Sequence, residues 1–226
     1  MMKVFYSRLK TAIILTLTIL TFSLFLFSCK KQETDYFSFV SENRNNIFLC
    51  QTDEFSVKVY SSEKETPYLC DGIKRKTAPR TEIFLTAESG EKTYYVYCMV
   101  NGKKFGGDMS YDNVKSVYFY TLTLDVSDLL ELPLQIEYDG GMVELTAKSV
   151  KETGLLSARQ IVEKVRVAEG ETFKNMTKNG VFQGEIYVRL IYENGLYYFV
   201  GVIDKSGKTL ALLCDGKTGK ILAKRR

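Results

Sequence analysis

Apolar residues return at every second position through much of the chain between Phe55 and Ala147, and few folds accept that period. Phe55, Val57 and Val59 alternate with Ser56 and Lys58; Ile83, Leu85 and Ala87 alternate with Phe84 and Thr86. Val96, Cys98 and Val100 alternate with Tyr95, Tyr97 and Met99. Tyr118, Tyr120, Leu122, Leu124 and Val126 share one face, and Val143, Leu145 and Ala147 share another. Successive strand side chains point to opposite faces, so this pattern marks half-buried antiparallel strands. Turn residues punctuate the runs at Asp71-Gly72, Ser89-Gly90, Asn101-Gly102, Gly106-Gly107 and Asp139-Gly140-Gly141. Asn101-Gly102 is the strongest hairpin signal, because a type I′ turn needs positive φ at both central residues. About seven short strands at this spacing predict an antiparallel β-sandwich of immunoglobulin-like architecture over residues 41–150. The Cys…Trp…Cys hallmark is absent, since the chain has no tryptophan.

The texture changes after Glu152-Thr153-Gly154. Ser157 followed by Gln160 forms a capping-box pair, and Ile161, Val165 and Ala168 recur at helical spacing up to a stop at Gly170. This is the one helix the pattern supports beyond the N-terminal segment. Strands are expected at Glu185–Tyr192, Leu196–Ile203, Thr209–Cys214 and Lys220–Lys224, joined by Asn194-Gly195, Lys205-Ser206-Gly207 and Gly216–Gly219. The expectation for residues 155–226 is therefore a small α+β unit, one helix packed on an antiparallel meander, which makes the whole chain mainly β.

The residues Leu156-Ser157-Ala158-Arg159-Gln160-Ile161, Tyr197-Tyr198-Phe199-Val200 and Asp215-Gly216-Lys217-Thr218-Gly219-Lys220-Ile221 make this last unit resemble a PepSY-type domain. The resemblance covers about a third of the chain and implies a unit that holds or restrains a protein partner, often a peptidase. It carries no catalytic residues over.

At the other end, Met1–Lys10 holds Lys3, Arg8 and Lys10 without an acid, and Thr11–Phe27 holds no charge, glycine or proline. A basic segment, an apolar run and a small residue before the cut are the parts of a secretory signal. Leu26-Phe27-Ser28-Cys29 resembles a bacterial lipobox, in which the cysteine is diacylated and the chain is cut before it. The resemblance implies a signal peptide over 1–28, lipid attachment at Cys29, a tether over 29–40, and residence on the extracytoplasmic face of the cell membrane. A retained transmembrane helix is the alternative, because the apolar run sits near the lower limit for crossing a hydrocarbon core of about 30 Å.

Composition then removes several functions. Three of the 31 basic residues lie in the signal and none of the 27 acids do, leaving 28 against 27, a net charge of +1 beyond Ser28. That balance gives no footprint for nucleic acid. Histidine is absent, which excludes Ser-His-Asp and Cys-His catalysis and His-ligated zinc. Cys50, Cys70, Cys98 and Cys214 allow three pairings in an exported chain. The phase of Cys98 with Val96 and Val100, and of Cys214 with Leu210 and Leu212, favours burial as free thiols. Gly207-Lys208-Thr209 lacks the preceding glycine and the following helix of a P-loop, and reads as a hairpin turn. Asp108, Asp112 and Asn113 are too few ligands for a calcium loop. Asn175-Met176-Thr177 spells a glycosylation sequon to which no role is assigned.

No catalytic, cofactor-binding or metal-binding residue is assigned. Tyr95 and Tyr97, opposite the apolar face of their strand, are the candidate contact surface, either open to a partner or covered by the second unit. The expected function is a non-enzymatic, membrane-anchored envelope lipoprotein that binds a protein partner. A glycan- or small-solute-binding lipoprotein is the alternative, and a carboxylate-dependent enzyme is a third. The lipid anchor makes a direct prediction: Cys29→Ala shifts the chain out of the membrane fraction or leaves it as precursor. Unchanged mass and unchanged membrane retention on fractionation would contradict the lipobox.

Overall fold

The computed structural model describes residues 34–87 and 92–226, so the signal, Cys29, the start of the tether up to residue 33 and the expected Ser89-Gly90 turn lie outside the described residues. A single 3₁₀ turn, Tyr36–Phe39, leads into nine strands: β1 (Val40–Gln51), β2 (Phe55–Glu65), β3 (Thr77–Ala87), β4 (Tyr94–Val100), β5 (Lys103–Asp108), β6 (Ser110–Asp112), β7 (Val117–Leu122), β8 (Glu131–Tyr138) and β9 (Gly141–Ser149). Two helices follow, α1 (Ala158–Ala168) and α2 (Gly170–Asn175). Then come the two-residue strands β10 (Thr177–Lys178) and β11 (Val181–Phe182), and the meander β12 (Gly184–Tyr192), β13 (Leu196–Asp204), β14 (Thr209–Asp215) and β15 (Ile221–Arg225). The protein is mainly β and mainly antiparallel. Asn101 and Gly102 both adopt positive φ (51° and 72°) between β4 and β5, as a type I′ turn requires.

Strand β1 organises the sheet. Its outer edge pairs with β2 along almost its whole length. On its other edge, Val40–Arg44 pair in parallel with Ile186–Arg189 of β12, whereas Phe48 and Leu49 pair antiparallel with Ser149 and Lys148 of β9. The result is a 13-stranded near-barrel rather than two separately paired sheets: one path runs β15-β14-β13-β12-β1-β2-β3-β7-β6, and a branch runs β1-β9-β8-β4-β5. Pairing therefore continues across the expected break near residue 150. The local reading gave no warning of this, because a strand's pattern reports which face is buried and not which strand lies beside it.

Two cores fill the molecule. One is enclosed by β2, β3, β4, β7, β8, β9 and the second half of β1, with Phe48, Val59, Ile83, Leu85, Val96, Cys98, Leu132 and Ile136 fully buried. The other lies between α1 and the β12–β14 face. Ser157 accepts from Gln160 N (3.3 Å), and Ser157 N donates to Gln160 Oε1 (2.8 Å), closing the capping box. Ala158, Ile161, Val162 and Val165 of α1 are buried, and Ile161, Val162 and Val165 each contribute about 1.5–3 kcal/mol by leaving water. Gly170 does not end the helical region as expected: it opens α2, which inserts Phe173 against Phe182 (ring centroids 5.5 Å apart). One apolar anchor in six residues leaves no period to detect. On the far face of the same sheet, Gly201 lies under the ring of Tyr187, where a Cβ would come within 1.9 Å of the ring.

The junction at β1 is held by polar groups. Asn46 is fully buried; its Nδ2 donates to the carbonyls of Ser127 (3.0 Å) and Leu129 (3.1 Å), and its Oδ1 accepts from Ile47 N (2.8 Å) and Ser149 Oγ (2.7 Å). This one amide ties β1 to the loop before β8 and to the end of β9 at the point where β1 exchanges one neighbour for another. Arg189 of β12 reaches Glu42 of β1 with two nitrogens (2.8 and 2.6 Å) and also donates to the Tyr68 hydroxyl (2.8 Å). Burial opposes the Glu42 charge, but the hydrogen bonds and charge of Arg189, with Lys64 and Tyr68, outweigh it and hold the carboxyl below its ordinary value. Removing one member of a buried pair leaves the other charged and desolvated. Arg189→Met is therefore expected to lose about 3–5 kcal/mol in urea denaturation. Arg189→Met with Glu42→Leu should recover most of that loss, and equal losses in the single and double variants would contradict the account.

Candidate contact surface

Strand β4 divides its side chains by parity. Tyr94, Val96, Cys98 and Val100 point into the core, while Tyr95, Tyr97 and Met99 point outward. Tyr95 (36% exposed) and Met99 (39%) are open to solvent and Tyr97 is half-buried. No other element among the described residues seals this face: the C-terminal unit attaches through the edge of β1 instead.

The register sets the neighbours. Tyr95 lies opposite Asp108 on β5 and Glu137 on β8; Tyr97 lies opposite Gly106 and Gln135; Met99 lies opposite Lys104. Strand β9 extends the face with Met142 opposite Glu137 and Glu144 opposite Gln135. Lys104 sits with its Nζ 3.8 Å from the Tyr97 ring centroid and 3.3 Å from Glu137 Oε1, so it is attracted to the ring face and the carboxylate together. Gln135 donates to Glu137 (3.1 Å) and also contacts the Met142 sulfur. At Gly106 the β5 backbone comes so near β4 that a Cβ would lie 1.9 Å from the Val96 carbonyl oxygen. Position 106 therefore offers no side chain beside Tyr97, and on that flank the ring is met by Lys104 from two residues away. The patch has an apolar centre of Tyr95, Tyr97, Met99 and Met142, and three carboxylates against one lysine around it.

The second aromatic run behaves differently. Tyr118 is buried, its ring 4.6 Å from that of Tyr94 and its hydroxyl bonded to the Lys92 carbonyl (2.8 Å). Tyr120 is half-buried. The outward partners supplied by β8 and β9 escaped notice in the sequence, although Leu132, Leu134 and Ile136 alternate there as clearly as elsewhere.

Other sequence features resolve into ordinary structure. Cys98 and Cys214 are free, fully buried in different cores, and pushed up to about 11 by burial. Cys50 and Cys70 are free and half-buried. Asp112 Oδ1 accepts from the backbone of Val114 (3.0 Å) and Lys115 (3.1 Å), which closes the β6–β7 turn. Asp204 Oδ1 accepts from the backbone of Ser206 (2.8 Å) and Lys208 (3.0 Å), so Gly207-Lys208-Thr209 is the β13–β14 hairpin. Among the described residues no group of three or more histidine, cysteine or acidic side chains converges as metal ligands. No helix among them is long and apolar enough to cross a membrane.

Four buried carboxylates outside the patch hold structure, one of them Glu169, which accepts from Lys224 Nζ (2.7 Å). Glu42 binds Arg189, as above. Glu65 accepts from Arg75 N (2.9 Å), and Glu185 accepts from Ser41 Oγ (2.5 Å) and Gly72 N (3.0 Å). Burial, with Glu65 and Asp71 nearby, raises the Glu185 pKa against the pull of its two donors. Glu65 and Glu185 thus fasten the 66–76 loop to the sheet by its backbone. No protein-family model, curated protein or solved structure matches the chain.

Proposed function

We propose that this chain is a lipid-anchored protein of the bacterial envelope, without enzymatic activity, that holds a protein partner against the outer face of β4, β5, β8 and β9. The observation that carries this reading is the uncovered row of Tyr95, Tyr97 and Met99 with an acid-rich surround. Aromatic and methionine side chains supply contact area at interfaces, and charges at the rim steer and register a partner. The commitment of Glu42, Glu65 and Glu185 to structural donors supports a binding role over carboxylate chemistry. The lipobox-like start supports placement outside the membrane, with Cys29 as the acylated residue.

The finer architecture belongs to the same reading. Two separate cores support an immunoglobulin-like unit over residues 41–150 and a PepSY-like unit over 155–226, joined through β1. On the PepSY-like reading the partner is a peptidase kept in check, and the acidic surround selects a partner surface with basic and aliphatic groups. The test is capture from solubilised membranes by the full chain. Tyr95→Ala with Tyr97→Ala is expected to abolish capture of the partner while the melting temperature stays close to that of the parent. Undiminished capture, or a large fall in melting temperature that places the two rings in the core, would contradict the contact surface.

A further inference from the structure

Three surface segments meet at the end of the sheet where β1 begins. Glu185, at the start of β12, accepts from Ser41 Oγ of β1 (2.5 Å) and from Gly72 N of the 66–76 loop (3.0 Å). Gly72, at φ +80°, packs so close to the β13–β14 hairpin that a Cβ would lie 2.3 Å from the Asp204 carbonyl oxygen. Lys205 of that hairpin donates to the side chain of Gln183 (2.5 Å), which directly follows β11. Tyr36 and Phe39, at the start of the described chain, pack edge-on against Phe182 of β11, with centroids 5.4 and 5.1 Å away. The 66–76 loop, the β10–β11 turn, the β13–β14 hairpin and the incoming chain therefore share one end of the molecule.

That end is apolar and basic together. Leu69 and Ile73 of the loop and Val181 of β11 each leave half their surface in water. Lys74 and Lys76 of the loop, Lys178 of β10, and Lys205 and Lys208 of the hairpin are exposed, and none makes an ion pair among the described residues. The three segments carry two acids, and both are taken up: Asp71 by Arg75 (2.5 Å) and Asp204 by the backbone of its own hairpin. The loop is held in shape by Glu65 on Arg75 N and Glu185 on Gly72 N, so its aliphatic tips need no ordering when they bind. Aliphatic tips among unpaired lysines match an anionic bilayer, which takes the tips below its headgroups and the lysines at its phosphates. Cys29 stands seven residues before Tyr36, at most about 25 Å of chain, so an acyl group there keeps this end within reach of the bilayer. We infer that Leu69, Ile73 and Val181 dock into an anionic membrane surface. The membrane comes from the lipid-anchored reading, on which this inference rests. Docking also sets the orientation: Phe55, at the other end of β2, packs on Tyr94 and Tyr138 (6.0 and 5.7 Å), so the Tyr95 end of β4 is lifted away from the bilayer towards a partner.

The chain has no tryptophan, so a single introduced one reports its own position without background. The full chain is placed in nanodiscs whose lipids carry brominated acyl chains, which quench tryptophan on contact. Leu69→Trp and Ile73→Trp should be quenched about threefold more in discs rich in phosphatidylglycerol than in discs of phosphatidylcholine alone. Tyr192→Trp, exposed at the far end of β12, should be quenched in neither. Adding Lys74→Gln and Lys76→Gln to the Leu69→Trp chain should remove most of the difference, as should salt at about 1 M, where the screening length falls to about 3 Å. No quenching at positions 69 and 73, equal quenching at 192, or equal quenching in the two lipids overturns the inference. Quenching that survives both the lysine changes and the salt overturns it as well. Failure of the lipid anchor reads differently: Cys29→Ala would then match the parent in mass while Leu69→Trp kept its quenching, with the apolar run of residues 11–27 holding the chain in the disc.

Discussion

The pairing of β1 with β12 along one half of its edge and with β9 along the other is the constraint on which the rest of the structure depends. A strand that changes neighbours exposes backbone donors and acceptors at the point of change, and these have to be satisfied away from water. There Asn46 accepts from Ile47 N and the Ser149 hydroxyl and donates to the carbonyls of Ser127 and Leu129, tying β1 to β9 and to the loop before β8. The Glu42–Arg189 pair, four residues back along β1, ties the two strands through side chains. Replacing such a pair with apolar residues is often neutral, so its value here lies in registry: it couples β1 to β12 and to Tyr68 of the loop above them. With β1 fixed, the near-barrel closes on one side, the helix-backed meander grows on the other, and the outer face of β4 is left open.

The parts of this architecture written in local patterns were legible in the sequence. The Ser157–Gln160 capping box, the α1 face of Ile161 and Val165, the four strands after Gly184 and the Asn101-Gly102 turn each depend on residues within a few positions of one another. The burial of Cys98 and Cys214 followed from phase alone. Strand β1 was not legible. Its first half reads Ser41-Glu42-Asn43-Arg44-Asn45-Asn46, a polar run with the composition of a loop, yet Ser41, Glu42 and Asn46 are buried. These residues are inside because partners more than a hundred positions away reach them: Glu185 for Ser41 and Arg189 for Glu42. No window of a dozen residues contains that information, and the same holds for the parallel pairing with β12.

The candidate surface shows the same division. Parity along β4 separates Tyr95 and Tyr97 from the core, and the burial of the strand alternates in the same phase. Parity says nothing about what lies across the strand. The bare backbone at Gly106, the Lys104 ammonium over the Tyr97 ring and the acids of β8 and β9 come from register, which only the assembled sheet supplies. Tyr118, in an equally aromatic run, is drawn inward because Tyr94 packs against it.

Site-specific photocrosslinking on intact cells tests the central claim most directly. With p-benzoylphenylalanine introduced at Tyr97, the outer face of β4 should yield one discrete high-mass adduct on irradiation. The same probe at Val167, exposed on α1, should not yield that adduct. No adduct from position 97, or the same adducts from both positions, would contradict a partner held on this face.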